Sequence, residues 1–480
     1  MSCKERPDGA GPEGGSGTAD RRGDTRSVPS PGHLPRRSRR SILGYHLDPY
    51  PNPSALRLPP APASLAELVV EWRDFLAHSR FARDIGLHLH VPYCRSKCRF
   101  CDCSSTPVGA AVDYRAYLED LQAEVATLAP LFRDVAFRRL YIGGGTPNLL
   151  PDPLLASLLE TVNRHFRTEP GAVRCIEFAP ERTRTTNLAI ARSAGINRLS
   201  LGVQTLTPGL LSSLGRPGAS PEIALRALEL VRQAGFQEVN LDLIFGLAGE
   251  TPETFHRGLE VLLAREPDTI TVQLVHDSKI AQVYGDRDHR RSVEDAYVDY
   301  VRRTLPSIHR SFPAYQGHLR PGVCVLVHRR MTRPWDQWLD FFSCLDRDLI
   351  STLGLGPMAH SRLEGRLAYQ CQFGAREPGA LNYVFHRLTE ELAAFIDTAC
   401  ALATQGRFRL EDVQQRIGSV PPRLLEEIAH LERQGRLVRA GEEWVGWKGA
   451  QNPLMPAVDR LALECRRIRL NPDTPWRNPP

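Results

Sequence analysis

The chain has 480 residues, 42% hydrophobic and 24% charged, a balance typical of a folded protein of more than one domain. It has no apolar run long enough for a transmembrane helix, and its N-terminus, MSCKERPDGAGPEGG, lacks the apolar segment of a secretory signal, so a cytoplasmic location without membrane contact is expected. The net charge is +6, and residues 1–40 alone hold nine Lys/Arg against five Asp/Glu; the body carries no basic field that argues for nucleic acid.

Residues 1–62 are rich in Pro, Gly and Arg and read as a disordered tail, with RRSRR (36–40) as a solvated charge run. The tail ends in a proline-rich arm bearing Tyr45 and Tyr50. From residue 63, apolar β-branched runs alternate with stretches of helical period. The strand-like runs are IGLHLHV (85–91), FRRLYI (137–142), VRCIEF (173–178), INRLSLGV (196–203), EVNLDLIF (238–245) and DTITVQLV (268–275). Between the first two, YRAYLEDLQAEVATLA (114–129) places Tyr117, Leu121, Val125 and Leu128 on one helical stripe. Six strand–helix alternations predict an α/β protein with a partial (β/α)6 TIM-like barrel over residues 63–280, with its site at the carboxyl ends of the strands. Residues 281–380 read as an irregular extension. Residues 381–480 read as a C-terminal helical, winged-helix-like domain ending in a hairpin that turns at Gly441–Glu442. Eight Lys/Arg and seven Asp/Glu over 406–450 leave that unit without a phosphate-binding face, so a lid or packing role is expected of it.

Eleven cysteines are present, and four fall within CRSKCRFCDC (94–103), directly after the first strand. A tight cluster in a chain without a secretory signal reads as a metal site rather than a disulfide framework. Cys94, Cys98 and Cys101 have CxxxCxxC spacing. Three thiolates so placed can bind three irons of a [4Fe–4S] cluster and leave the fourth open to a ligand with an amine and a carboxylate, such as S-adenosylmethionine. A zinc site completed by Cys103 is the competing reading. Phe100, between the ligands, is expected to shield the cluster, and Cys103 is either a buried free thiol or a catalytic group.

HLHVPYCRSKCRFCDC, YIGGGTPNLL, IEFAPE, GINRLSLGVQT and NLDLIFGL occur in this order. Together they resemble the oxygen-independent coproporphyrinogen III oxidase-like (HemN/HemW-like) family of the radical S-adenosylmethionine superfamily. The resemblance is dense over residues 85–275 and thinner through LGLGPMAHS (353–361). It implies that Gly144, Gly145 and Thr146 cradle the methionine moiety of the cosubstrate and that Glu177 contacts its ribose or adenine. It places Gln204, Arg216 and Asp242 around a second S-adenosylmethionine or the substrate; an interior Arg216–Asp242 ion pair is the alternative. It also implies a flavodoxin- or ferredoxin-type electron donor.

The chain departs from the family at two places. His88 stands where the family has Tyr, and QLVHDS, with His276, replaces the oxidase's NYAHLP. Both positions fall near the expected cosubstrate or substrate. His88, His90 and His276 also read as structural histidines. From these departures we expect methyl or methylene transfer to an sp2 carbon of a specialised metabolite, using two S-adenosylmethionine molecules. The alternatives are coproporphyrinogen III oxidation and a haem chaperone on the same fold.

Overall fold

A computed structural model describes residues 61–79, 82, 85–108, 112–276, 279–320, 323–331, 351–359, 361–363, 365–371, 382–445 and 461. Residues 1–60, including Tyr45, Tyr50 and RRSRR, lie outside the described residues.

The described chain opens with β1 (Ala61–Ser64) and α1 (Leu65–His78). A reciprocal cap starts the helix: Ser64 Oγ accepts from the Glu67 amide at 3.2 Å, and Glu67 Oε2 accepts from the Ser64 amide at 2.7 Å. Its apolar face, Leu68, Trp72 and Phe75, is buried, and Trp72 Nε1 donates to Tyr369 Oη at 2.8 Å. Next come β2 (Ile85–Val91), the short pair β3 (Tyr93–Cys94) and β4 (Thr106–Pro107), and α2 (Tyr114–Leu128). Tyr117, Leu121, Val125 and Leu128 of α2 are buried on the expected stripe.

Four further strand–helix units follow: β5 (Ala136–Gly144) with α3 (Asp152–His165), β6 (Arg167–Phe178) with α4 (Thr185–Ser193), β7 (Arg198–Gln204) with α5 (Leu210–Ser213) and α6 (Pro221–Gln233), and β8 (Glu238–Phe245) with α7 (Pro252–Leu263). The sixth barrel strand is β9 (Thr269–Leu274). Neighbouring strands from β2 through β5, β6, β7 and β8 to β9 all pair in parallel. This is the α/β partial barrel that the six apolar runs predict.

The period of two along each strand sorts its two faces. Leu87, Leu89, Leu140, Ile142, Ile176, Leu199, Leu201, Leu241 and Leu243 enter the main core, which the helices share. The opposite face carries His88, His90, Tyr141, Glu177, Ser200, Asn240 and Asp242, so the barrel interior is polar. An interior of this kind is stable only when its groups are paired. Asn240 Nδ2 donates to Ser200 Oγ and to Asp242 Oδ1, both at 2.8 Å, and Asn240 Oδ1 accepts from Thr269 Oγ1 at 2.8 Å and Thr271 Oγ1 at 3.0 Å.

The described residues of the segment read as an irregular extension lengthen the sheet at both ends. After α8 (Ile280–Tyr284) and α9 (Arg290–Ser311), β10 (Tyr315–Arg320) and β11 (Val323–His328) add antiparallel strands beside β9. At the other end β12 (Ser351–Leu355) pairs in parallel with β2, and β13 (Ser361–Leu363), β14 (Leu367–Cys371) and β15 (Asn382–Arg387) continue antiparallel to β1. Residues 382–387, read as helical, are therefore a strand. Helix α10 (Glu390–Gln405) starts only at the Thr389 cap.

A buried carboxyl secures this extension. Glu124 of α2 accepts from Tyr383 Oη at 2.5 Å and from the Gly356 amide at 2.7 Å. Burial raises its pKa to about 7. Beyond α10, β16 (Arg407–Arg409), α11 (Leu410–Ile417), α12 (Pro422–Arg433) and the hairpin of β17 (Val438–Ala440) and β18 (Glu443–Val445) give the winged-helix outline, with a second core around Phe395, Leu424 and Leu431 that Val325 and Val327 of β11 also enter.

Candidate active site

The cysteine loop leaves the carboxyl end of β2 and is braced from both sides. The Arg99 amide donates to Leu214 O at 2.8 Å and Ser96 Oγ to Gly215 O at 2.7 Å. Lys97 Nζ closes the loop on itself through Cys103 O and Ser105 Oγ. Cys94, Cys98, Cys101 and Cys103 are all partly exposed, and none is in a disulfide. Phe100 is buried in the main core beneath them. Burial pushes the Cys98 thiol up to about 12. Interaction between the neighbouring Cys101 and Cys103 thiols holds Cys101 below the usual thiol range and Cys103 above it. Cys103 is thus tied to a candidate ligand, not a buried free thiol.

The glycine loop leaves β5 beside this loop. The Gly145 amide donates to Val91 O and the Thr146 amide to Tyr93 O, both at 2.7 Å, and Thr146 Oγ1 lies 3.5 Å from Cys94 Sγ. Side chains are sterically excluded here. A Cβ on Gly145 would lie 2.4 Å from Tyr93 O, and one on Gly144, whose φ is +105°, would lie 2.2 Å from the His90 ring. Glu177 follows on β6 and accepts from Tyr141 Oη.

Arg216 is buried and close enough to Cys94 and Cys98 to interact electrostatically. Its partner is Glu181, not Asp242. Nε and Nη2 reach the two Glu181 oxygens at 3.0 and 2.8 Å, and Nη1 donates to Gly202 O at 2.7 Å. The interior Arg216–Asp242 pair is therefore corrected. Asp242 accepts instead from Ser200 Oγ at 2.5 Å and from Asn240. Gln204 ends β7 at a bulge with φ +69°, in the left-handed region. His276 Nδ1 is 3.5 Å from Asp102 of the cysteine loop, as is Lys279 Nζ. His88 is buried between His90 and Tyr141. Sequence reasoning missed Glu181 and Asp102, although both lie inside quoted motifs, IEFAPE and CDC.

The residues present fit a cluster with a cosubstrate. Three thiols share one loop, a cradle without side chains lies against Cys94, and a cation and carboxylates stand around it. Among the described residues no three His, Cys, Asp or Glu side chains converge on a single-ion site. A cubane does not require such convergence, because each thiolate binds a different iron. Residues 89–262 match the radical SAM superfamily model. That match spans about a third of the chain, which thus carries a radical SAM domain whose motifs resemble the coproporphyrinogen III oxidase-like family.

Proteins of the radical SAM superfamily use a [4Fe–4S] cluster and S-adenosylmethionine. This radical SAM chain is 32% identical over 202 residues to an oxygen-independent coproporphyrinogen III oxidase of Paracoccus denitrificans, covering 42% of this chain and 45% of the relative. It is 36% identical over 188 residues to the heme chaperone HemW of Mycobacterium tuberculosis, covering 39% and 48%. It spans about half the length of the curated relatives it matches. The solved coproporphyrinogen III oxidase (HemN) of Escherichia coli shares the fold, with a TM-score of 0.64, 22% identity and coverage of 79% of this chain and 90% of that one.

These relatives overturn the expected methyl or methylene transfer to a specialised metabolite. That expectation rested on His88 and His276. The structure packs the first among aromatic rings and sets the second against the cysteine loop, so neither substitution marks a new substrate chemistry.

Proposed function

We propose that this chain is a radical S-adenosylmethionine oxidoreductase acting on a porphyrinogen, as an oxygen-independent coproporphyrinogen III oxidase does. The observation that carries the reading is the identity to the Paracoccus oxidase over 202 residues. The polar barrel mouth supports it. In this reading Cys94, Cys98 and Cys101 hold the cluster, Gly144, Gly145 and Thr146 receive the methionine moiety, and Glu177 serves the nucleoside. Gln204 and Asp242 face the substrate or a second S-adenosylmethionine, and the Arg216–Glu181 pair fixes the wall beside Cys98.

Bound together, the cluster and its cosubstrate supply a hydrogen-abstracting radical. Each propionate would give one hydrogen atom to that radical and one electron to a one-electron acceptor, and would release carbon dioxide to leave a vinyl group, so two propionates would consume two S-adenosylmethionine molecules in succession. A flavodoxin- or ferredoxin-type protein would deliver the reducing electron. Among the described residues no helix is long and apolar enough to cross a membrane.

Anaerobic incubation with dithionite, S-adenosylmethionine and coproporphyrinogen III should release carbon dioxide in step with 5′-deoxyadenosine. Formation of 5′-deoxyadenosine without carbon dioxide would refute the substrate. The match to the chaperone favours a second reading; tight haem binding with no cleavage of S-adenosylmethionine would establish that one.

A further inference from the structure

His90 has a pair of contacts that the assignments above do not use. It is 2% exposed on β2. Its Nδ1 lies 3.0 Å from Met358 O and its Nε2 lies 2.8 Å from Ser104 O. Both partners are backbone carbonyls, which can only accept. A neutral imidazole has one N–H and one bare lone pair, so it can serve one carbonyl while its other nitrogen faces the second repulsively. Changing the tautomer does not help, because a carbonyl faces each nitrogen. Only the doubly protonated ring satisfies both.

The surroundings fix the ring in this pose. It fills the notch left by Gly144. Its own carbonyl accepts from Tyr117 Oη at 2.9 Å, and a Cβ on Gly356 would lie 2.8 Å from that carbonyl oxygen. Met358 holds a left-handed φ of +63°, and its amide donates to Cys371 O at 2.8 Å. The carbonyl that meets Nδ1 is thus set by its own segment, and the one that meets Nε2 belongs to the loop bearing the three candidate ligands.

We infer that His90 is a buried imidazolium that ties the cysteine loop to the segment after β12 across the glycine cradle. It is a positioning residue. Its two charge-assisted hydrogen bonds hold Ser104 and Met358 in register, so that the loop with Cys94, Cys98 and Cys101 keeps its distance from Gly144. A bound three-thiolate cluster would supply compensating negative charge. The inference does not depend on which substrate the enzyme takes.

The test is ring-nitrogen NMR on the full chain, histidine-15N-labelled, loaded with oxidised cluster and kept anaerobic at about pH 8, well above the ordinary histidine value. His90→Gln identifies the signal by its loss. Both His90 nitrogens should carry a proton. A signal with one protonated and one bare nitrogen would overturn the inference. Hydrogen exchange gives an independent readout. In His90→Gln, amides around Ser104 and Met358 should exchange roughly tenfold or more faster, as loss of a hydrogen bond to a charged group implies. His90→Lys, which keeps a cation and several donors, should restore much of the protection. Unchanged exchange at both segments in His90→Gln would also refute the clamp.

Discussion

Cys103 sits two residues beyond Cys101 and its thiol interacts with that of Cys101, which separates the roles of two neighbouring thiols. A serine at 103 keeps a donor, so Cys103→Ser should retain the full iron content and visible absorption of the anaerobically reconstituted protein. Cys98→Ala should lose both, because the remaining thiolates cannot hold a cubane. Iron analysis with absorption spectroscopy distinguishes the two. Glu124 makes a different single-residue prediction. Its pKa in the folded protein is raised to about 7, against 4.5 for an ordinary glutamate. The native state therefore binds this proton more tightly than the unfolded chain does. The stability contribution is fully present below about pH 4.5 and is lost as pH rises towards 7. Urea midpoints measured across that window should fall with pH more steeply in the wild type than in Glu124→Gln.

At the scale of elements, the turns after the strands carry the site, and two of them are energetically exposed. The Arg216–Glu181 pair is largely buried, so Arg216→Met leaves a carboxylate without its cation and should cost about 3–5 kcal/mol of unfolding free energy. Adding Glu181→Gln should recover most of that loss in denaturant melts. Gln204, in its left-handed conformation at the end of β7, stores roughly 1 kcal/mol. Gln204→Gly should raise stability by about that amount while lowering turnover, because the side chain is lost with the strain.

How far these elements can be read from the sequence follows from their burial. The six barrel strands are legible because parallel strands are covered on one face by helices and read as Val/Ile/Leu runs. The cysteine and glycine loops are legible because their chemistry restricts residue type. Strand β15 is not: Tyr383 and Phe385 alternate with Val384 and His386, then run without a Gly or Pro break into a true helix, and the helical pattern absorbs them. Glu124 hides because an acid in a charged helix looks solvated until Tyr383 and Gly356, more than 200 residues later, are brought to it. The resemblance singles out Arg216, but its carboxylate cannot be chosen from spacing alone, since Glu181, just beyond β6, and Asp242, inside β8, are both candidates.

On the scale of the whole molecule, one sheet runs from β1 to β10 and joins the earliest and latest described parts of the barrel region. Its order sets β12 between β13 and β2, with Ser351 opposite Ile85 and Leu355 opposite Leu89. Trp72 with Tyr369 and Glu124 with Tyr383 fasten the same seam. The barrel, the extension and the cysteine loop thus share a core, and a second core joins the winged-helix outline beyond Thr389 to Val325 and Val327 of β11.

The β2–β12 pairing has a consequence for biosynthesis. A ribosome that has delivered Ile85 must add some 266 residues before Ser351 emerges, roughly 15–50 s at bacterial elongation rates. Throughout that interval one side of β2, an apolar parallel strand, has no hydrogen-bonded neighbour, and the cysteines directly downstream lack the carbonyl of Met358 that meets His90. The nascent chain is at its most aggregation-prone when its iron-binding loop is least defined. Productive maturation therefore favours metal delivery after chain release, and a holdase chaperone that covers this strand should raise the yield of loadable protein.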